Sequence, residues 1–191
     1  MTEEIIPNDS VSLLLTDPMY GAQYLPLWED LGRFASRVLK PGRLLVSYHG
    51  HMFLPQTLNA LGKHLSFVWL GGVKYSHQTS MYSLKIMTSW RVLLLFAKGE
   101  YNPELSSRWF RDLIDGDNYP ETKTLSVLQE GLHEAEYIIG TFTNPGDSVV
   151  DCFVGTGTTA VAAKTSGRRF IGSEISKERY DLSVSRIGQE L

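Results

Sequence analysis

The sequence has 191 residues, of which 42% are hydrophobic, and a formal net charge of −3. This length and composition fit a single domain with a normal core. A free-standing protein that binds duplex DNA usually has a basic excess, because contacts to phosphates supply much of its affinity. The chain lacks that excess, so any binding to nucleic acid would depend on a local patch or on a partner.

The cysteine content, the apolar runs and the N-terminal residues of the sequence indicate a cytoplasmic protein. Cys152 is the only cysteine and cannot form an internal disulfide, which fits a reducing environment. No apolar run reaches the roughly 18 residues of a membrane helix, and the acidic start with Glu3 and Glu4 is unlike a signal peptide. The five histidines are too scattered to propose a metal site. We expect a cytoplasmic protein without membrane or metal binding.

Apolar runs and turn residues predict the secondary structure in chain order. Strands are predicted at 11–16, 44–48, 65–70, 91–97, 148–152 and 169–174, and helices at 25–39, 54–61, 125–142, 158–166 and 176–189. Residues 73–89 show no clean period and are predicted to form a loop. Residues 100–124 are polar and predict a small recognition insertion or a flexible loop. Alternating strands and helices predict one α/β domain over 1–191, with three layers and a mostly parallel sheet.

A Gly-x-Gly loop follows the predicted strand at 148–152. Gly155 and Gly157 would let the backbone approach a ligand, since neither carries a Cβ. Thr158 and Thr159 open the next helix, whose first N–H groups lack partners within the helix. Glu174 ends the following strand, where a carboxylate can accept hydrogen bonds from both hydroxyls of a ribose. The pattern favours a nucleotide-like cofactor over an ordinary turn.

Glycine-rich loops of this kind also occur in nicotinamide-binding and phosphate-binding proteins. Ala160 occupies the third glycine position of the Gly-x-Gly-x-x-Gly fingerprint, which makes a nicotinamide cofactor less favoured. Alanine is sometimes tolerated there, so an oxidoreductase remains an alternative. The sequence has no Gly-x-x-x-x-Gly-Lys-Ser/Thr motif, and phosphoryl transfer therefore has no support.

A second motif lies near the N-terminus, after the first predicted strand. Asp17-Pro18-Met19-Tyr20 resembles the Asp-Pro-Pro-Tyr motif of DNA methyltransferases that modify amino groups. Residues 151–159 resemble the Asp-Pro-Phe-x-Gly-x-Gly-Thr-Thr loop with which that family binds S-adenosylmethionine (SAM). Placing the catalytic motif first and the cofactor loop last is similar to the circularly permuted, β-class order of the family. Further blocks that look like the family are 37–42, 93–99, 144–147 and 168–174.

The resemblance implies a Rossmann-like, SAM-dependent methyltransferase in which the strand at 91–97 is antiparallel. It implies methylation of a DNA base at adenine N6, or less readily at cytosine N4, as in DNA modification beside restriction enzymes. The implied catalytic loop is Asp17, Pro18, Met19 and Tyr20, with Tyr20 stacking on an extruded base. The implied cofactor residues are Asp151, Phe153, Gly155, Gly157, Thr158, Thr159, Glu174 and Gln129.

The chain departs from the family pattern in three places. Met19 and Cys152 each stand where the family has proline, and neither change removes a polar group. Family members usually have a further strand and an acidic residue before the catalytic motif, whereas residues 1–10 are too short for both. We therefore expect a bare sheet edge beside the strand that ends at Glu174, completed by a homodimer or a partner subunit.

These departures leave three functions open. They are a SAM-dependent DNA methyltransferase that binds DNA weakly alone, a non-catalytic or partner-dependent SAM-binding subunit, and an RNA methyltransferase. For contact with phosphates, residues 74–85 with Arg91 nearby are the better basic candidate, although an ordinary solvated loop is as good a reading.

Overall fold

The computed structural model describes residues 6–116 and 131–189. Within these ranges the strands are β1 (Val11–Thr16), β2 (Leu39–His49), β3 (Ser66–Met81), β4 (Ile86–Ala97), β5 (Leu113–Asp115), β6 (Ser148–Asp151) and β7 (Arg169–Gly172). The α-helices are α1 (Leu25–Val38), α2 (Leu54–Gly62), α3 (Leu132–Phe142), α4 (Thr158–Thr165) and α5 (Lys177–Gln189). None of the described helices is long and apolar enough to span a bilayer.

The strands form one sheet in the order β5-β3-β4-β2-β1-β6-β7. β4 runs antiparallel to both β2 and β3, and the remaining pairings are parallel. The predicted α/β fold with a mostly parallel sheet is confirmed, and so is the antiparallel strand at 91–97. β1 lies between β2 and β6, and this places the residues that follow β1 next to those that follow β6.

Helices cover both faces of the sheet. Side chains alternate along β1, so Leu13 and Leu15 join one core and Leu14 joins the other. Helices α1 and α2 pack on the Leu14 face, whereas α3 and α4 pack on the Leu13 face. β1 is fully buried between these layers, as the largely apolar segment 11–16 predicts.

The predicted loop at 73–89 is wrong. β3 continues to Met81 and β4 begins at Ile86, so the segment is a two-stranded hairpin with the pairs Thr79–Thr88 and Met81–Ile86. The ladder is irregular between Lys74 and Thr79. Most side chains beyond this point are exposed, and the usual alternation of buried and exposed residues is therefore missing. The hairpin projects past the end of the main sheet and lines the pocket described below.

The predicted insertion at 100–124 is packed against the sheet in its described part. Leu113–Asp115 form β5, parallel to β3, and the Trp69 indole donates a hydrogen bond of 3.1 Å to Asp112. Residues 117–124 lie outside the described residues, as does the first part of the helix predicted at 125–142. At the opposite edge, β7 pairs with β6, and no further described strand follows it. Ile171 and Ile175 are exposed at that edge.

Candidate active site

A pocket of about 830 Å³ opens at the carboxyl ends of β1, β2, β6 and β7. In parallel α/β sheets this edge is the usual place for ligands, and the volume is within the range of small-molecule sites. The predicted site residues that line it are Asp17, Met19, Tyr20, Asp151, Phe153, Gly155, Thr158, Thr159 and Glu174. Two motifs more than 130 residues apart in sequence therefore meet in one cavity.

The catalytic-motif residues directly follow β1. Pro18 is buried, whereas Met19 and Tyr20 are exposed to the pocket. The Tyr20 hydroxyl donates a hydrogen bond to Asp17 Oδ1, and Arg91 Nη1 lies 3.3 Å from Asp17 Oδ2. Desolvation by the pocket walls raises the pKa of Asp17, and the bonds from Tyr20 and Arg91 oppose that rise. Both carboxylate oxygens therefore already have a donor before any substrate is bound.

Asp151 stands at the base of the cofactor loop and is almost fully buried. Its Oδ1 accepts hydrogen bonds from Thr16 Oγ1 at 2.6 Å and from the Phe153 N–H at 2.9 Å. Burial raises the pKa of Asp151 to about 6, although these two donors favour the charged form. The Thr16 contact ties the end of β1 to the end of β6, so it joins the catalytic motif to the cofactor loop.

Glu174 connects the two loops that follow β6 and β7. Its Oε2 accepts the Gly155 N–H and its Oε1 accepts the Ser176 N–H, each at 2.8 Å. Desolvation opposes ionisation, but the N–H bonds from Ser176 and Gly155 outweigh it and lower the pKa of Glu174. A carboxylate oxygen has lone pairs left after one such bond. Glu174 is thus a fixed, ionised acceptor on the pocket wall.

The two loop glycines have different surroundings. Gly155 has a φ of +55°, and a Cβ there would meet nothing closer than 3.9 Å, which leaves room beside the backbone. Gly157 is buried, with a φ of +91°, and a Cβ there would lie 3.0 Å from the Cβ of Ser183 on α5. Gly157 therefore permits close packing of α5 and does not line the pocket. Gln129 lies outside the described residues.

Asp17 is also in contact with a cluster that the sequence did not predict, formed by Arg91, Tyr75 and Glu134. Arg91 Nε and Nη2 donate to the Tyr75 hydroxyl at 3.1 and 2.8 Å, and that hydroxyl donates to Glu134 Oε1 at 2.9 Å. Arg91 Nη2 also lies 3.6 Å from Glu134 Oε2, and its guanidinium stacks over the Tyr48 ring at 4.8 Å. Arg91 is consequently engaged inside the pocket, and the prediction that it helps to contact phosphates is not supported.

Comparisons with known proteins agree with this geometry. The family model for N6/N4 DNA methylases matches residues 131–185, which include the cofactor loop and Glu174. Over this segment the chain is similar to DNA amino-methyltransferases. Over 202 aligned residues it is 26% identical to the putative methylase YubD of Escherichia coli K12, covering 95% of this chain and 83% of YubD.

Two further relatives of this methyltransferase class show how much of the chain is shared. The DNA adenine methyltransferase YhdJ of Escherichia coli K12 is 38% identical over 71 residues, which cover 37% of this chain and 22% of YhdJ. TTHA0409 of Thermus thermophilus, solved with SAM, has a TM-score of 0.77 and 24% identity over 97% of this chain and 88% of that one. The fold of this chain is therefore that of SAM-dependent methyltransferases over nearly its whole length.

Proposed function

We propose that the chain transfers a methyl group from SAM to an exocyclic amino group of a DNA base, with adenine N6 as the favoured target. The observation that carries the proposal is the meeting of Asp17 and Tyr20 with the loop 151–159 and Glu174 in one pocket. The relative YhdJ is named as an adenine methyltransferase, whereas the matching family model covers both N6 and N4 chemistry.

The residues on the cofactor side suit SAM. Glu174 presents ionised oxygens to a pair of ribose hydroxyls, and Gly155 leaves space beside its backbone. Asp151 would attract the ammonium of the amino-acid end, and Phe153 offers an apolar surface in the same pocket. When bound, SAM would supply a methyl group already activated by a sulfonium, so no metal is needed for this transfer.

The catalytic loop suits an aromatic amino group. The nitrogen lone pair of such a group is delocalised into the ring, which makes it a poor nucleophile. Asp17 and the Pro18 carbonyl would accept its two N–H hydrogens and favour a tetrahedral nitrogen as the methyl arrives. Tyr20 is 39% exposed in the pocket and would stack on the base, which has to leave the duplex to reach it. Positioning and electrostatics then account for the rate.

The charge distribution favours nucleic acid on the hairpin side of the pocket. Residues 31–99 contain no Asp or Glu but nine Lys and Arg, which are Arg33, Arg37, Lys40, Arg43, Lys63, Lys74, Lys85, Arg91 and Lys98. Lys74 and Lys85 are both exposed on the hairpin, and no described carboxylate lies within 4.0 Å of either. Lys74 and Lys85 are therefore the candidates for contact with phosphates, on the hairpin that lines the same pocket as the catalytic loop, despite the acidic total.

The substitution Asp17→Ala tests this proposal. It should lower methyl transfer from radiolabelled SAM to DNA by at least about 10²-fold, because it removes an acceptor that acts on the reacting nitrogen. SAM binding, measured by calorimetry with NAD as a control ligand, should remain. Asp30→Ala, which removes an exposed carboxylate on α1, is the matched control. Unchanged transfer by Asp17→Ala would refute the catalytic assignment.

The product identifies the substrate. Digestion of the methylated DNA to nucleosides distinguishes N6-methyladenine from N4-methylcytosine, and a parallel assay on RNA tests the third function. The exposed edge at Ile171 and Ile175 favours a second candidate, a subunit that needs a partner. That candidate predicts no saturable SAM binding by the chain alone.

A further inference from the structure

We infer that Arg91 is a positioning residue that holds Asp17 ionised and in place, and that Glu134 and Tyr75 anchor Arg91 for this task. The inference rests on the proposed function for its catalytic meaning, but its electrostatic content concerns the protein without substrate. Nothing in the sequence motifs points to it, because the partners are distant in the chain.

The backbone of Arg91 is fixed. It lies on β4, where it pairs with Val73 of β3, and the next residue, Val92, pairs with His49 of β2. A residue that pairs with one neighbouring strand, and that directly precedes a residue paired with the other, has little freedom to shift. Asp17, by contrast, lies just beyond the end of β1 in a loop, and its side chain is 43% exposed. The rigid strand therefore holds the less constrained loop.

The guanidinium of Arg91 joins two carboxylates from different elements. Its Nη1 is 3.3 Å from Asp17 Oδ2, and its Nη2 is 3.6 Å from Glu134 Oε2 on α3. The planar fork of arginine suits this bridging, whereas the single ammonium of lysine would not reach both partners in the same way. The Tyr75 hydroxyl bridges Arg91 and Glu134, since it accepts a hydrogen bond from Arg91 and donates one to Glu134.

The buried position of Glu134 is explained by its ion pair with Arg91. The residue is completely buried, and burial raises the pKa of its carboxyl while Arg91 opposes the rise. A buried carboxylate without a partner is costly, and Arg91 is the one cation within ion-pair distance of it among the described residues. Glu134 therefore keeps the guanidinium at the depth from which it reaches Asp17.

The arrangement also links the two halves of the pocket. Gly131, which precedes α3, and Ala135, which follows Glu134 in that helix, line the pocket together with the cofactor loop. Arg91 thus connects the helix beside the cofactor loop to the loop that would hold the base. Because a nearby opposite charge favours the ionised form of a carboxyl, Arg91 opposes the desolvation that raises the pKa of Asp17.

The test compares two variants, Glu134→Gln and the double variant Arg91→Gln/Glu134→Gln. The single substitution Arg91→Gln would leave Glu134 buried and unpaired, and the protein could fail to fold. The double variant replaces both charges by neutral amides and avoids that problem. Arg33→Gln, which breaks the exposed pair with Asp30 on α1, is the matched control for loss of an Arg–Asp pair and should behave as wild type.

The first readout is the titration of Asp17 by NMR of ¹³C-labelled aspartate carboxyls, assigned with Asp17→Asn. The Asp17 midpoint should rise by about 1–3 pH units in the double variant relative to Glu134→Gln. The second readout is the pH dependence of kcat, whose acid limb should move upward with that midpoint. Equal Asp17 midpoints in the two variants would overturn the inference, whether or not the protein transfers methyl groups.

The two proposals can fail separately. If wild type shows no methyl transfer, the proposed function is wrong, while the NMR titration still decides the role of Arg91. If wild type is active and the double variant matches Glu134→Gln in midpoint and acid limb, Arg91 serves only the fold.

Discussion

The substitution Glu174→Gln would test the cofactor site most directly, since it preserves size and removes one charge. In the wild type, each oxygen of Glu174 accepts a backbone N–H at 2.8 Å, from Gly155 and from Ser176. A glutamine has one oxygen and one NH₂ group, so one of these N–H groups would face another donor. The loop would have to shift, and at least one bond to a ribose hydroxyl would be lost.

The magnitude follows from these contacts. A hydrogen bond to a charged group contributes about 1.5–3 kcal/mol, and two are expected between Glu174 and the ribose. Losing one bond and weakening the other corresponds to about a 10²-fold increase in the Kd for SAM, at about 1.4 kcal/mol for each factor of ten. Calorimetric titration measures this change, and a thermal melt reports whether the loop shift also lowers stability.

Glu178→Gln is the control, because it is the same chemical change at a nearby position. Glu178 is exposed in the first turn of α5. Its Kd for SAM should equal that of wild type. A Kd for Glu174→Gln within about threefold of wild type would mean that the carboxylate does not contact the cofactor. The assignment of Glu174 would then have to be abandoned, even if SAM binds elsewhere in the pocket.

Two further predictions concern Asp151 and the hairpin. Burial raises the pKa of Asp151 to about 6, so the negative charge that would attract the SAM ammonium is lost as the pH falls through 6. The Kd of the wild type for SAM should therefore rise between pH 7 and pH 5. A Kd that does not change over this range would contradict the contact between Asp151 and the ammonium. Lys74→Gln/Lys85→Gln should weaken DNA binding and reduce the slope of log K against log salt by about 2. Lys63→Gln/Lys164→Gln is the charge-matched control, and equal slopes for the two pairs would exclude the hairpin from the DNA surface.

The strands and helices with clear periodicity could be predicted from the sequence. The largely apolar segment 11–16 predicts β1, and Asn144-Pro145-Gly146-Asp147 marks the turn before β6, which begins at Ser148 as expected. The hairpin was missed for a physical reason. Its outer part packs on no core, so neither face needs apolar residues, and pattern alone cannot distinguish it from a loop.

The site could be predicted only in its local parts. The loop 151–159 and the Asp17 motif each carry their chemistry in consecutive residues, and the fold brings them together as expected. The Arg91–Tyr75–Glu134 cluster draws on two strands and a helix, and no spacing in the sequence relates them. Gly157 lies in the cofactor motif, and the structure adds a packing reason for it that the motif does not reveal, the close approach of α5.

The central position of β1 has a consequence for how the protein forms during synthesis. One edge of β1 pairs with β2, which follows soon after it, but the other edge pairs with β6. The hydrogen bond from Thr16 to Asp151 joins positions 135 residues apart, so a nascent chain exposes an unpaired strand edge until β6 has been made. The loop carrying Asp17 gains its final support at the same moment. The candidate site is thus complete only after β6 has been made, and partly made chains would be prone to pair with other strands.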